Sequence, residues 1–295
     1  MKRIHLIINP VAGKITIRNY ILNILKTFNE AGYEVTISVT LGRGEGLRLA
    51  QESAEKNYDL VVCCGGDGTF NEVASGILKS GKKITLGYIP SGSTNDFANS
   101  IGLALKPEEA ALNIVKGETA HIDVGLINKK RHFCYVASFG AFTNVTYSVP
   151  QETKNRLGHL AYVLAGVQDL SEIKARKVDF TIDGKEYKGK YIFGAVANST
   201  SIGGMLKIKK ELVDMSDGLF EVMMIHMPKD LLELSDIINA LTFSNFDTPL
   251  IEFFHASKVD FRLSKSIDWT VDGEKFEGES EIHIENLHNE IAIMR

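Results

Sequence analysis

The 295 residues contain only three cysteines, Cys63, Cys64 and Cys134. Two of them are neighbours at the end of an apolar run and no CxxC spacing occurs, which argues against a disulfide framework. They read as small buried residues of a reducing cytoplasm. No apolar run approaches the ~20 residues needed to cross a bilayer. The opening Met1-Lys2-Arg3-Ile4-His5-Leu6-Ile7-Ile8 breaks at Asn9-Pro10, too early for a signal segment. A net charge of −4 with no block of like charge offers no footprint for nucleic acid. The histidines form no HExxH or HxH cluster for zinc, and there is neither a GxSxG nucleophile elbow nor a GxxxxGK[ST] loop. What is present is ordinary for a globular protein with a real core: 44% hydrophobic and 24% charged residues. The length suggests two domains.

The first 125 residues alternate between two periods. Ile4–Ile8, Val35–Val39, Asp59–Cys63 and Ile84–Ile89 read as strands. Between them Ile17, Tyr20, Ile21, Ile24, Leu25 and Phe28 follow helical spacing and stop at Gly32. Glu45–Glu55 and about Phe70–Lys79 also read as helices, and Pro107-Glu108-Glu109 opens another. This order predicts an α/β unit over 1–125, a doubly wound parallel sheet with helices on both faces. From about 126 to 286 most segments read as strands joined by tight turns, which predicts a mostly antiparallel β-sandwich or distorted barrel. Two stretches parallel each other, Phe180–Gly189 around Asp183-Gly184 and Trp269–Gly278 around Asp272-Gly273, and each carries a strong hairpin signal. Helices are expected near 155–170 and 229–241. The last strand, near 290–294 within 287–295, is a candidate to rejoin the first domain.

Chemistry concentrates in three turns. Gly65-Gly66-Asp67-Gly68-Thr69-Phe70-Asn71-Glu72 lies between a buried strand and a helix. Glycines there let the backbone approach a ligand, and the helix N-terminus offers free amides and partial positive charge, a combination suited to phosphate. Asp67 would repel phosphate, so it organises Mg²⁺ or accepts a proton from a hydroxyl; the alternative is a helix cap beside an ordinary turn. Asn9-Pro10-Val11-Ala12-Gly13-Lys14 follows the first strand, and Pro90-Ser91-Gly92-Ser93-Thr94-Asn95-Asp96-Phe97-Ala98 follows the fourth. All three turns fall at strand ends of one sheet, where open α/β folds bind ligands.

Together these segments resemble the diacylglycerol kinase catalytic-domain family, most closely its soluble bacterial lipid kinases. Sphingosine and ceramide kinases are relatives, and the nucleotide domain is similar to those of NAD kinases and phosphofructokinases. The likeness continues through Leu157–Tyr162, Asn198 with Gly203-Gly204, Asp217–Val222 and Asp272-Gly273-Glu274. The resemblance implies an ATP- and Mg²⁺-dependent lipid kinase that phosphorylates the hydroxyl of a diacylglycerol-like lipid, with its active site in a cleft between the domains. ATP would lie on Asn9, Pro10, Val11, Ala12, Gly13, Lys14, Thr40, Gly65, Gly66, Asp67, Gly68, Thr69, Phe70, Asn71 and Ser93. Asp67 would act through Mg²⁺ with Asp96 in support, and Glu274 would be the general base. Asp217, with carbonyls of Asp214 and Leu219, would hold a second Mg²⁺. Lys14 and either Lys154 or Arg156 would neutralise phosphate. Ser93 stands where many relatives carry threonine, and Asn99 where an arginine often follows Asn-Asp-Phe-Ala. The implied setting is cytoplasmic, with peripheral contact at the membrane surface where the lipid resides; a homodimer is compatible with it. Two other functions stay open at this point: a kinase of a soluble substrate such as NAD, and a non-catalytic nucleotide-binding regulator.

Overall fold

The computed structural model describes residues 1–13, 17–140, 164, 170, 173–202 and 206–295. It divides into two compact units, Met1–Val124 with His288–Arg295, and Gly125–Leu287. In the first, β1 (Lys2–Ile8), β2 (Tyr33–Val39), β3 (Leu60–Gly65) and β4 (Thr85–Pro90) form a parallel sheet in the order β4-β3-β1-β2. The helices are α1 (Ile21–Glu30), α2 (Glu45–Glu55), α3 (Asp67–Ser80), α4 (Asp96–Ser100) and α5 (Pro107–Lys116). Alternation along the strands assigns them to faces. Ile4, Leu6 and Ile8 of β1 and Val62 and Cys64 of β3 pack with Ile24 and Phe28 of α1 and Ala110 and Ile114 of α5. From the other face, His5 of β1 meets Ser53 of α2 at 2.6 Å, and Tyr88 of β4 lies 4.7 Å from the Phe70 ring of α3. Helices therefore cover both faces, the doubly wound arrangement expected. The order reverses at β1, so the crevice between the carboxyl ends of β1 and β3 is the topological switch point of the sheet.

After β5 (Thr119–Ile127) the second unit is built from strands: β6 (Arg131–Phe133), β7 (Val136–Gly140), β8 (Arg176–Ile182), β9 (Lys185–Ala197), β10 (Ser201–Ile202), β11 (Leu206–Lys207), β12 (Phe220–His226), β13 (Ile251–Ala256), β14 (Lys258–Leu263), β15 (Trp269–Val271), β16 (Glu274–Phe276) and β17 (Glu281–Met294). The pairings among them are antiparallel. The long strand β9 serves two ladders: residues 185–191 pair with β8, and 193–197 lie between β7 and β12. That division folds the strands over a core of Phe139, Phe180, Phe261 and Trp269, giving the sandwich-like unit. The close packing needs Gly194, where a Cβ would stand 2.3 Å from the Phe139 ring. Both Asp-Gly pairs make two-residue hairpin turns with positive φ at each position, +45° and +89° at Asp183-Gly184, +48° and +80° at Asp272-Gly273.

Residues 288–294 of β17 belong to the first unit. Ile293 pairs in parallel with Leu86 of β4, and Glu118 and Arg295 exchange two backbone bonds. The fully buried Asp123 fixes this return by accepting from Nδ1 of His288 at 3.0 Å and from the Asn289 amide at 2.7 Å.

Three helix starts differ from the sequence reading for identifiable reasons. Helix α3 begins at Asp67 rather than near Phe70, because the extended backbone of Gly66 delivers the chain straight into helix. The segment opening at Ile17 starts as a 3₁₀ turn, Ile17–Asn19, before α1. The helix expected near 229–241 spans Leu231–Phe243, since Asp230 caps it by accepting from the Glu233 amide at 2.8 Å. The helix expected near 155–170 falls almost wholly outside the described residues.

Candidate active site

The three glycine turns converge. Asn9, immediately after β1, donates from its amide to Cys64 O at 2.8 Å and from Nδ2 to Thr69 Oγ1 at 2.9 Å. Its Oδ1 accepts from the Val11 amide at 3.1 Å, which closes the turn locally. Ser91, after β4, donates to Gly65 O at 2.8 Å. The contacts are so close that only glycine serves at two positions. A Cβ on Gly13, which has φ +58°, would sit 2.2 Å from Ser91 O, and one on Gly92 would sit 2.6 Å from Gly66 Cα. Pro10, Val11 and Gly13 are exposed, as are Gly68 and Ser93, so the rim of this cradle is open. Thr40 is buried beside it, its amide bonded to Ile8 O at 2.9 Å.

Asp67 stands in the first turn of α3, where a carboxylate is favoured by the helix dipole. Its oxygens reach across to the third turn. They accept from the Asp96 amide at 3.0 Å, the Phe97 amide at 3.2 Å and Thr94 Oγ1 at 3.4 Å. Asp67 is therefore the N-terminal cap of α4, a helix whose own leading residue, Asn95, supplies no cap. Burial raises the Asp67 carboxyl above its ordinary value, and the donors of Asp96, Phe97 and Thr94 offset part of that. Asp67 and Asp96 are thus brought together, the latter through its backbone amide. Glu72, one turn along α3, does the same for α2: its carboxylate accepts from the Gly44 amide at 2.7 Å and the Gly46 amide at 2.9 Å. Two neighbouring acids on one helix lock two others in place.

Two expected nucleotide contacts turn inward. The Phe70 side chain is fully buried, stacked on Phe97 at 4.2 Å, and its amide is spent on Gly66 O at 3.0 Å. Asn71 is buried as well. Lys14, Lys154 and Arg156 lie outside the described residues, as do Gly203 and Gly204. Burial pushes the Cys64 thiol up to about 12 and Cys63 well above its usual value, which disfavours the thiolate at both.

In the second unit, Glu274 is the first residue of β16, directly after the Asp272-Gly273 turn. Its Oε2 accepts from Nη2 of Arg131 at 2.7 Å, a contact that no motif or spacing signals. Asp272 is buried, and its carboxylate accepts from the amides of Cys134 at 2.6 Å, Tyr135 at 3.1 Å and Val136 at 2.9 Å. Asp214 and Asp217 each brace their own turns, accepting from the Ser216 amide at 3.0 Å and the Leu219 amide at 2.8 Å. Beside them Glu221 is fully buried without a well-formed hydrogen bond. Burial first, then the charges of Asp217 and Asp214, push it up to about 8, with amides of Glu221 itself and Ser199 offsetting part. Asp214, Asp217 and the Leu219 carbonyl are the groups that would hold a cation here. Among the described residues, however, no three His, Cys, Asp or Glu side chains close into a metal ligand set. No described helix is long and apolar enough to cross a membrane.

Residues 3–127 match the diacylglycerol kinase catalytic domain family, and residues 136–294 match the YegS C-terminal NAD kinase beta sandwich-like domain. With the parallel sheet and its joined glycine turns, this defines a phosphotransferase that uses an alcohol group as acceptor. The chain is 32% identical over 282 residues to the diacylglycerol kinase of Bacillus subtilis (strain 168), covering 93% of this chain and 90% of that one. It is 29% identical over 274 residues to a diacylglycerol kinase of Staphylococcus saprophyticus, covering 92% and 89%. It belongs to the diacylglycerol kinase family. Two crystal structures from Bacillus anthracis str. Sterne share the fold. One has a TM-score of 0.82 at 24% identity over 99% of this chain and 96% of that one. The other, named as a diacylglycerol kinase, has a TM-score of 0.77 at 23% identity over the same shares.

Proposed function

We propose that this lipid kinase transfers the γ-phosphate of ATP to the free hydroxyl of a diacylglycerol-like lipid. The observation that carries the reading is the convergence of three glycine turns at the switch point of the parallel sheet. Their exposed rim and the N-terminus of α3 suit a triphosphate, whose charge asks for backbone donors and close approach. Asn9, Pro10, Val11, Ala12, Gly13, Lys14, Thr40, Gly65, Gly66, Gly68, Thr69 and Ser93 are the proposed nucleotide residues. Phe70 and Asn71 act from beneath, as the floor that fixes the turn. Phosphoryl transfer needs mainly positioning and charge neutralisation. Mg²⁺, held by Asp67 with Asp96 in support, supplies that neutralisation when bound; a carboxylate that accepts two amides still has lone pairs to offer. A structural Mg²⁺ at Asp214, Asp217 and Leu219 is the second proposed site. Glu274 accepts the proton of the attacking hydroxyl, a contribution typically of about 10²–10⁴-fold. The lipid is met by peripheral contact at a membrane surface, and self-association as a homodimer is compatible with this.

The test is transfer of radiolabel from ATP to diacylglycerol in mixed micelles with Mg²⁺, followed by mass spectrometry of the product. The Asp67→Ala and Glu274→Ala variants are expected to lose at least about 10²-fold. Wild-type turnover in both would reject these site assignments. Phosphorylation of NAD with no turnover of any lipid would move the reading to the soluble-substrate kinases. Tight ATP binding with no transfer at all would move it to a silent regulator.

A further inference from the structure

We propose that Arg131 is the positioning residue for Glu274. The inference deepens the reading above, because it rests on Glu274 as the proton acceptor.

The Arg131 guanidinium touches the Glu274 hairpin at three points. Nη2 donates to Glu274 Oε2 at 2.7 Å and to Val271 O at 3.3 Å, and Nη1 reaches Lys275 O at 3.4 Å. Val271 ends β15 and Lys275 lies in β16, so the planar fork spans the turn between them and holds the carboxylate against that frame. Arg131 is itself well anchored. It opens β6 in register with Ile127, after a turn in which Asn128 and Lys129 adopt φ of +48° and +54°. The chain immediately beyond, 134–136, supplies the three amides that Asp272 accepts. One short stretch, 131–136, therefore fixes both acids of the hairpin, Asp272 by its backbone and Glu274 by a side chain.

The neighbouring cations have other partners. Lys130 pairs with Glu279, and Lys275 Nζ lies 2.8 Å from Asp268 Oδ2. The Arg131–Glu274 pair is also less exposed than either, with side chains 23% and 34% accessible, so it is only partly screened by water. The chemistry suits a base. Arginine stays charged throughout the working range and has no proton to exchange, so it fixes the carboxylate without competing for the substrate proton. It holds the carboxylate through Oε2. A positive neighbour also favours the ionised form that a base requires.

The test uses the full chain, ATP, Mg²⁺ and diacylglycerol in mixed micelles, with kcat, KM for ATP and the pH profile of kcat measured for Arg131→Ala, Arg131→Lys, Glu274→Gln and the Arg131→Ala/Glu274→Gln pair. Arg131→Ala is expected to lose about 10–100-fold in kcat, the cost of a misplaced group, with KM for ATP unchanged. Its acid limb should move to higher pH, because the charge favouring the carboxylate is gone. Arg131→Lys should recover part of the rate, keeping the charge but not the fork. The double variant should be no slower than Glu274→Gln alone. Wild-type kcat and pH profile in Arg131→Ala, alongside an inactive Glu274→Gln, overturn the inference and leave the base intact. Losses that multiply in the double variant overturn it too. An active Glu274→Gln overturns the base reading itself. If thermal melting shows that Arg131→Ala is unfolded, Arg131→Lys and Arg131→Gln carry the same comparison.

Discussion

Two hairpins in the second unit are built from nearly the same sequence, and they have different fates. Asp183-Gly184 and Asp272-Gly273 adopt the same left-handed pair of conformations between antiparallel strands. Asp183 is exposed, and its carboxylate accepts from Ser257 Oγ at 3.4 Å. Asp272 is buried against three amides, and Lys185 of the first hairpin is replaced at the corresponding place by Glu274, clasped by Arg131. The turn is a local matter, decided by an aspartate and a glycine that tolerate positive φ. What the turn is for depends on a strand far away in sequence that lies across it.

The contrast can be tested first at the aspartates' load. Asp272→Ala strands three buried donors and should cost about 3–5 kcal/mol in urea denaturation, with kinase activity lost alongside. Asp272→Asn, which keeps the turn and part of the acceptor, should cost less. Glu221 is the counter-case, buried like Asp272 but with amides that offset only part of the effect of burial. Its folded proton affinity, up to about 8, exceeds that of an ordinary glutamate near 4.5. The folded state therefore holds the proton more tightly than the unfolded one. The resulting stability is fully present below pH 4.5 and is lost as pH rises through 8. Denaturation midpoints in EDTA should fall between pH 5 and pH 8 for the wild type and stay flatter in Glu221→Gln; equal slopes would sink this account. Next come the glycines. Gly184→Ala and Gly273→Ala should cost about 1–2 kcal/mol each and nearly the same, because both pay for left-handed backbone and neither meets an atom closer than the Tyr135 hydroxyl, 3.4 Å from a Cβ on Gly273. The smallest effect belongs to Asp183→Ala, about 0.5–1 kcal/mol, because alanine tolerates the positive φ less well than aspartate but no buried donor is stranded.

The fold and the cradle were largely legible in the sequence, for one reason. Strand, glycine turn and helix in that order force the turn to the carboxyl edge of a parallel sheet, so Asn9–Gly13, Gly65–Thr69 and Ser91–Asn95 had to approach one another. The work done by Asp67 was legible only in part. Its carboxylate caps a helix, as the bland alternative held, but the helix is α4, 29 and 30 residues onward, and not its own. Glu72 and the Gly44 amide are likewise 28 residues apart, and Arg131 and Glu274 are separated by 143. No periodicity reports such pairings, because each is fixed by packing between elements. Phe70 shows the converse. Its helical spacing marked a buried face and its loop marked a ligand contact, and packing against Phe97 and Tyr88 decided for the interior.

The return of residues 288–294 to the first unit has a consequence for biogenesis. The parallel sheet emerges first from the ribosome, yet the strand that pairs with β4 through Ile293 is made only after the whole β-rich unit has been synthesised. Until then the outer edge of β4 lacks the pairing at Ile293, so the first unit should reach its final protease resistance only once residues 288–294 have left the ribosome.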